Sequence, residues 1–276
     1  MEKALGWRDL HLIKRKSASH KGDNGRLLAV GGSIDYVGAI LLAGMAAYRS
    51  GVDLVVIAAP EKIAIAINAW PDFVTEKFRG AYFSERNAGR IARESRGFDA
   101  LLVGNGIGLR AGTKKFARRL VAGCGCKKII DADAIKSIRL QDVKNSVITP
   151  HRREFQILME NSGVNASNEK RAISAARKLI GNNVILLKGK TDVIISKGRV
   201  AFNTTGNPGM TKAGTGDVLA GLCAGLAAQG NELFESACAA AYINGYAGDL
   251  LYRDYGYGFT ATDLADKIGC VMKRWQ

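Results

Sequence analysis

The stretch NTTGNPGMTKAGTGDVLAG, Asn203–Gly221, carries five glycines and one acid, Asp217, at the start of an apolar run. Ordered glycine loses more backbone entropy than any other residue, so such a cluster implies that backbone comes close to something. The following DVLAGLCAGLAAQG reads as a buried helix opening near Asp217. A helix start leaves its first N–H groups without intrahelical acceptors. The amides of Gly214, Thr215 and Gly216 are therefore expected to form a nest suited to the charge on a transferring phosphoryl group. Asp217 is placed to accept a proton from a hydroxyl that attacks phosphorus. A helix N-terminus favours the carboxylate, which predicts a weak base at neutral pH. The competing reading of Asp217 is an ordinary N-cap, a position at which Asp is favoured.

Outward from this motif the apolar pattern alternates between two periods. RLLAV, DLVVIAA, FDALLVG, KKIIDAD and NSVITP read as strands, while GAILLAGMAAYRSG, TKKFARRLVAG and NEKRAISAARKLIG read as helices. NVILLKGK, DVIIS and RVAFN form a run of short strands with turns around Gly189 and Gly198. ESACAAAYINGYAGDLLY and TATDLADKIGCVMKRW complete a helical C-terminal third. Alternating strands and helices predict an α/β fold, a mostly parallel sheet with helices on both faces. No linker, repeat or low-complexity segment interrupts it, so residues 1–276 are expected to form one domain.

Hydrophobic residues make up 47% of the 276, an ordinary globular composition. No apolar run reaches the ~20 residues that span a bilayer, and MEKALGWRDLHLIKRK lacks a signal-peptide core. A cytoplasmic protein is expected, with no membrane partner. Five cysteines, an odd number, make a poor disulfide framework, and the C-x-C pair Cys124/Cys126 has no partner pair at zinc spacing. The formal net charge of +15 attracts anions. Lys114, Lys115, Arg118 and Arg119 fall on a helix as a solvated outer face, and without interleaved aromatics nucleic acid is not an expected partner.

GKT at Gly189–Thr191 is not a P-loop, because Val184 stands where its first glycine belongs. GNGIGL at Gly104–Leu109 is not a dinucleotide fingerprint, because Leu109 replaces its third glycine. That segment still follows a strand, where ligands of open parallel sheets sit. GGSIDYVGA, Gly31–Ala39, occupies the equivalent place after the first strand, with Gly38 and Ala39 opening a helix stripped of bulk. Asp131 and Asp133 in IIDADAI are expected on one side of a strand end. They suit a hydrated Mg²⁺, a ligand hydroxyl or a helix cap. VITPHRREF ends a strand at Thr149, Pro150 and His151, with Glu154 set to cap the next helix or hold a metal-bound water. Lys188 ends a very apolar strand, where a lysine needs an anion such as a nucleotide phosphate.

Six motifs in this order, HKGDNGRLLAVGGSIDYVGA, VGNGIG, IIDADAI, ITPHRREF, LLKGKTDVI and NTTGNPGMTKAGTGDVLAG, closely resemble the ADP/ATP-dependent NAD(P)H-hydrate dehydratases of the ribokinase-like superfamily. The resemblance runs from His20 to the C-terminus. It implies a ribokinase-like three-layer sandwich and an ADP-dependent repair of hydrated NADH or NADPH, with Mg²⁺ and with ATP as a possible donor. The ring hydroxyl would be phosphorylated and then eliminated. Carried over by motif, Ala39, Gly106, Gly108, His151 and Asp217 would contact the hydrated dinucleotide, with Asp217 as base. Lys188, Gly189, Lys190, Thr191, Asp192, Gly214, Thr215 and Gly216 would hold the nucleotide. Metal ligands are not assigned. The family is often tetrameric and often carries an N-terminal epimerase domain, for which this sequence leaves no room. Four positions depart from the family pattern: Arg152 and Arg153 stand for Pro-Gly, Ala213 for glycine, and Asn105 for the proline of GPGLG. A small-molecule kinase of the same superfamily is the alternative reading.

Overall fold

The computed structural model describes residues 4–275. One nine-stranded sheet carries β1 (Arg26–Val30), β2 (Leu54–Pro60), β3 (Val74–Phe78), β4 (Ala100–Val103), β5 (Lys127–Ile130), β6 (Ser146–Ile148), β7 (Val184–Leu187), β8 (Asp192–Ile195) and β9 (Val200–Asn203). Their order is β3-β2-β1-β4-β5-β6-β7-β8-β9. All neighbours pair in parallel except β7 with β8 and β8 with β9, which form antiparallel hairpins at one edge. Short connections at Gly189 and Gly198 can only reverse the chain, whereas the parallel strands are joined through helices.

Side-chain alternation divides the core in two. Leu27 and Ala29 of β1 join one apolar cluster while Leu28 and Val30 join the other. The first face is covered by α1 (Gly38–Arg49), α2 (Glu61–Ile67), α8 (Thr215–Ala228), α9 (Leu233–Tyr255) and α10 (Ala261–Met272). The second is covered by α3 (Glu85–Glu94), α4 (Ala111–Gly123), α5 (Ala132–Ile135), α6 (Arg152–Asn161) and α7 (Glu169–Leu179). Strands buried on both faces are why RLLAV and ALLV read as continuous apolar runs. Among the described residues no helix is long and apolar enough to cross a membrane.

The contact that positions the site is α8 on α1. A methyl added at Gly221 would lie 2.0 Å from the Ala43 carbonyl oxygen, and one at Gly225 would lie 2.2 Å from Ser50 Oγ. The two helices therefore meet backbone to backbone, and the start of α8 is set beside the start of α1. Most glycines of the opening motif answer to packing of this kind. Gly209 leaves no room against Phe259, at 2.7 Å, and Gly214 none against Leu42 and Ala261, at 2.6 and 2.8 Å. The close approach inferred from the glycine cluster is thus largely to the protein itself. We predict that Gly221→Ala lowers the unfolding free energy by about 3 kcal/mol, roughly 6–12 °C in melting temperature. A melt unchanged from the parent would mean that α8 does not lie on α1 in this way.

Candidate active site

The loops leaving β1, β4, β5, β6 and β7 converge at the carboxyl ends of the strands, where open α/β sheets bind ligands. The Gly32 amide donates to the Asn105 carbonyl at 2.8 Å, joining the first loop to the second. Gly104, at φ +128°, lies so near β5 that an added Cβ would overlap the Asp131 carbonyl at 1.8 Å. The Lys188 amide donates to Pro150 O at 2.8 Å, and a parallel bridge sets His151 beside Lys188. Ala39, the second residue of α1, faces Gly106 across 3.3 Å as measured from a Cβ built on the glycine.

The start of α8 is delivered into this convergence. Gly214 takes φ +95°, open to glycine, and turns the chain into the helix. The Val218 amide makes the first full helical bond, to Gly214 O at 3.0 Å. Thr215 departs from the expected nest: its amide turns back to Lys212 O at 3.4 Å, and its hydroxyl donates to Met210 O and Lys212 O. The amides of Gly216 and Asp217 have no acceptor among the described residues. Of the expected trio, Gly214 and Gly216 thus keep unpaired amides among the described residues, Thr215 does not, and Asp217 adds a further one.

Asp217 Oδ1 accepts from Asn105 Nδ2 at 2.7 Å, and the same amide nitrogen donates to Asp131 Oδ2 at 2.9 Å. Asp131 Oδ1 accepts from Thr149 Oγ1 at 2.7 Å and from Lys188 Nζ at 3.1 Å. Asn105 is fully buried, and its own Oδ1 has no partner. A Cβ on Gly216 would lie 3.4 Å from Lys188 Nζ, so the ammonium sits next to the free amides. Burial pushes the Asp217 carboxyl up to about 7, and repulsion from Asp131 adds to it, against the Asn105 hydrogen bond and the Lys188 charge. The weak base expected from the helix terminus is thus corrected: burial and the Asp131 charge raise the carboxyl instead. Burial disfavours the Lys188 charge, but Asp131 and Glu154 outweigh it and hold the ammonium above its ordinary range.

Other expected residues take narrower parts. The anion that Lys188 needs is met within the chain, by Asp131 at 3.1 Å. Strand alternation does not set Asp131 and Asp133, because the strand ends at Ile130 and Ala132 takes φ +49°; both carboxyls nevertheless turn to the loop after β4. Asp133 turns to the Gly108 amide at 3.0 Å and Lys136 Nζ at 2.9 Å. His151 caps α6, its Nδ1 accepting from the amides of Arg153 at 3.1 Å and Glu154 at 3.4 Å. Glu154 returns the bond to His151 N at 3.1 Å, so it caps as one of its two expected roles. Gly189, Lys190 and Thr191 are exposed, while Asp192 braces their turn by accepting from Gly189 N and Asn203 Nδ2, both at 3.0 Å. Asn105 was read only as a departure from a family proline. A polar residue between two glycines after an apolar strand was the available signal.

The family model described as NAD(P)H-hydrate dehydratase matches residues 27–269. The chain belongs to the NAD(P)H-hydrate dehydratase family. It is 42% identical over its whole length to the bifunctional NAD(P)H-hydrate repair enzyme of Methanocaldococcus jannaschii, of which it covers 54%. The chain spans about half the length of the first curated relatives it matches. It is 38% identical to the ADP-dependent (S)-NAD(P)H-hydrate dehydratase of Cenarchaeum symbiosum, over 94% of this chain and 92% of that one. A Bacillus subtilis ADP/ATP-dependent NAD(P)H-hydrate dehydratase, co-crystallised with ATP/Mg²⁺, shares 26% identity. It matches at a TM-score of 0.78 over 96% of this chain and 95% of that one. The layering of this dehydratase-family member is the ribokinase-like sandwich.

A carboxyl that holds its proton more tightly folded than unfolded weakens the fold as pH rises from about 4 through about 7. We predict that Asp217→Asn is more stable than the parent at pH 8, on the order of 1 kcal/mol, with no gain at pH 4. Asn105→Ala should lose about 1–3 kcal/mol at pH 8, where two ionised carboxylates lose their shared donor, and less at pH 5.5. Denaturant unfolding at each pH checks both. Equal losses for Asn105→Ala at the two pH values would show that its amide does not act on the Asp217 charge.

Proposed function

We propose that this chain is an ADP-dependent dehydratase of hydrated NADH and NADPH that phosphorylates the ring hydroxyl and then expels it as phosphate. The carrying observation is a carboxyl titrating near 7 next to two unpaired amides and an ammonium. Phosphoryl transfer is catalysed mainly by positioning and by charge stabilisation, and this arrangement supplies both. Asp217 takes the proton of the substrate hydroxyl as its oxygen attacks the terminal phosphorus of ADP, and AMP leaves. A general base works best when it titrates near the working pH. The Gly216 and Asp217 amides face the charge that develops on the phosphoryl oxygens. In the second half the carbon–oxygen bond breaks, phosphate leaves, and the adjacent carbon gives up a proton, restoring the reduced ring.

The substrate is placed along Ala39, Gly106, Gly108 and His151, the nucleotide along Lys188–Asp192 and Gly214–Gly216. The absence of bulk at Ala39 and Gly106 supports the first placement, because the facing loops leave only glycine and methyl between them. For Mg²⁺ the described residues build no resident cage. No three His, Cys, Asp or Glu side chains cluster to hold an ion. Asp131 and Asp133 are already occupied by Asn105, Thr149 and Lys188, and by Gly108 and Lys136. Mg²⁺ keeps water and phosphate ligands readily, so it would arrive on the nucleotide. The proposed dinucleotide and ADP substrates support a cytoplasmic location.

The test is recovery of reduced-nicotinamide absorbance from hydrated NADH, with ADP and ATP assayed in parallel. Recovery with ADP is expected, with an acid limb of kcat/KM near pH 7. Asp217→Asn should lower kcat by about 10²–10⁴-fold while ADP affinity stays within about threefold. No recovery, together with a phosphorylated alcohol accumulating from a simpler substrate, would select the superfamily kinase instead.

A further inference from the structure

Far from this site, at the other end of β5, Cys124 and Cys126 place their sulfurs 3.2 Å apart in mutual hydrogen-bonding contact. Cys124 is the C-cap of α4 and is buried, and Cys126 is half-buried one residue before β5 begins. Between them Gly125 is exposed, and a Cβ there would meet nothing within 4 Å, so the turn is free to tighten. Lys128 is only 3% exposed and bends back over the turn, its Nζ donating to Cys124 O at 3.0 Å and Cys126 O at 3.3 Å. A nearly buried ammonium without a carboxylate partner sits against the two thiols. The other cysteines differ: Cys223 and Cys238 are buried in helices, and Cys270 is exposed without a neighbouring sulfur.

We propose that Cys124 and Cys126 are a thiol–disulfide exchange site, a C-G-C dithiol that closes to an intramolecular disulfide against low-molecular-weight disulfides. Geometry supplies the resolving thiol in contact with the attacking one. Electrostatics supplies the thiolate: the Cys126 hydrogen bond, against burial, brings Cys124 down to about 6, and the same bond pushes Cys126 up. The first proton thus belongs to the pair, and because either sulfur can be the donor across the 3.2 Å contact, the thiolate can stand on Cys126 as well as on Cys124. Cys126, the more exposed sulfur, reaches the outside disulfide RSSR while the proton rests on Cys124. A Cys126–SR bond forms and RS⁻ leaves. Cys124 then loses its proton to solvent and attacks Cys126 Sγ, and the second RS⁻ leaves. Two electrons pass from the pair to RSSR, giving one internal disulfide, two thiolates and one proton. None of this rests on the dehydratase reading.

The experiment uses the full chain in a Cys270→Ser background, exposed to glutathione disulfide at neutral pH, acid-quenched, mass-analysed and peptide-mapped. The parent pair should lose two hydrogens and carry no lasting glutathione, with Cys124 and Cys126 joined. Cys124→Ser should hold one glutathione on Cys126. Cys126→Ser should be modified on Cys124 at least about tenfold more slowly, because that sulfur is buried. A thermal melt of each variant confirms that folded protein is being read. The proposal is overturned if the intact pair keeps a stable glutathione adduct. It is equally overturned if the pair stays reduced at a ratio that modifies Cys126 in Cys124→Ser, or if neither protein reacts.

Discussion

One amide nitrogen, Nδ2 of Asn105, stands between two carboxylates that would otherwise repel one another inside the protein. Burial and the Asp131 charge drive Asp217 toward its neutral form, and Asn105 and Lys188 pull it back. Titration near neutrality is the balance of these opposing effects rather than the property of any one of them. If the balance tipped toward the ionised form, the acid would grip no proton. If it tipped the other way, the acid would keep its own proton and could accept no other. The unsatisfied Oδ1 of Asn105 is the structural concession that accompanies this arrangement, since a buried acceptor without a donor is destabilising.

The balance depends on where α8 begins, and the fold sets that place through absent side chains. Gly221 and Gly225 let α8 rest on α1, and α1 itself begins at the loop leaving β1. The elements proposed to hold substrate and phosphate are therefore parts of one packed pair. The proposed base stands in the first turn of a packed helix and not at a loop tip, which suits catalysis by orientation.

The sheet, the helices α1, α4 and α7–α10 and the edge hairpins were legible because their residues repeat at clear periods. β3, α2 and α3 were not. VTEKF lies at the sheet edge with only Phe78 buried, and α3 buries only Ala88 and Ile91, so neither offers a strong pattern. Within the site, the strand-end loops, Asp217 and the helix start were readable, because glycine and an acid before an apolar run have a local cause. What the sequence could not show was partnership across the chain. Asn105 and Asp217 are 112 residues apart, and Lys188 and Asp131 are 57 apart, so their meeting depends on sheet order. The direction of the Asp217 shift depended on burial for the same reason.

The cap that His151 gives to α6 also determines its chemistry. With Nδ1 receiving two backbone amides, the neutral ring must carry its hydrogen on Nε2. The imidazole can therefore present only a donor to whatever lies above it. A carbonyl or phosphoryl oxygen would be welcome there, whereas abstraction of a proton would require the first turn of the helix to give up its cap. Of the two side chains proposed to face the substrate, the imidazole is thereby left to donate, and Asp217, whose Oδ1 alone is engaged by Asn105, is left to accept.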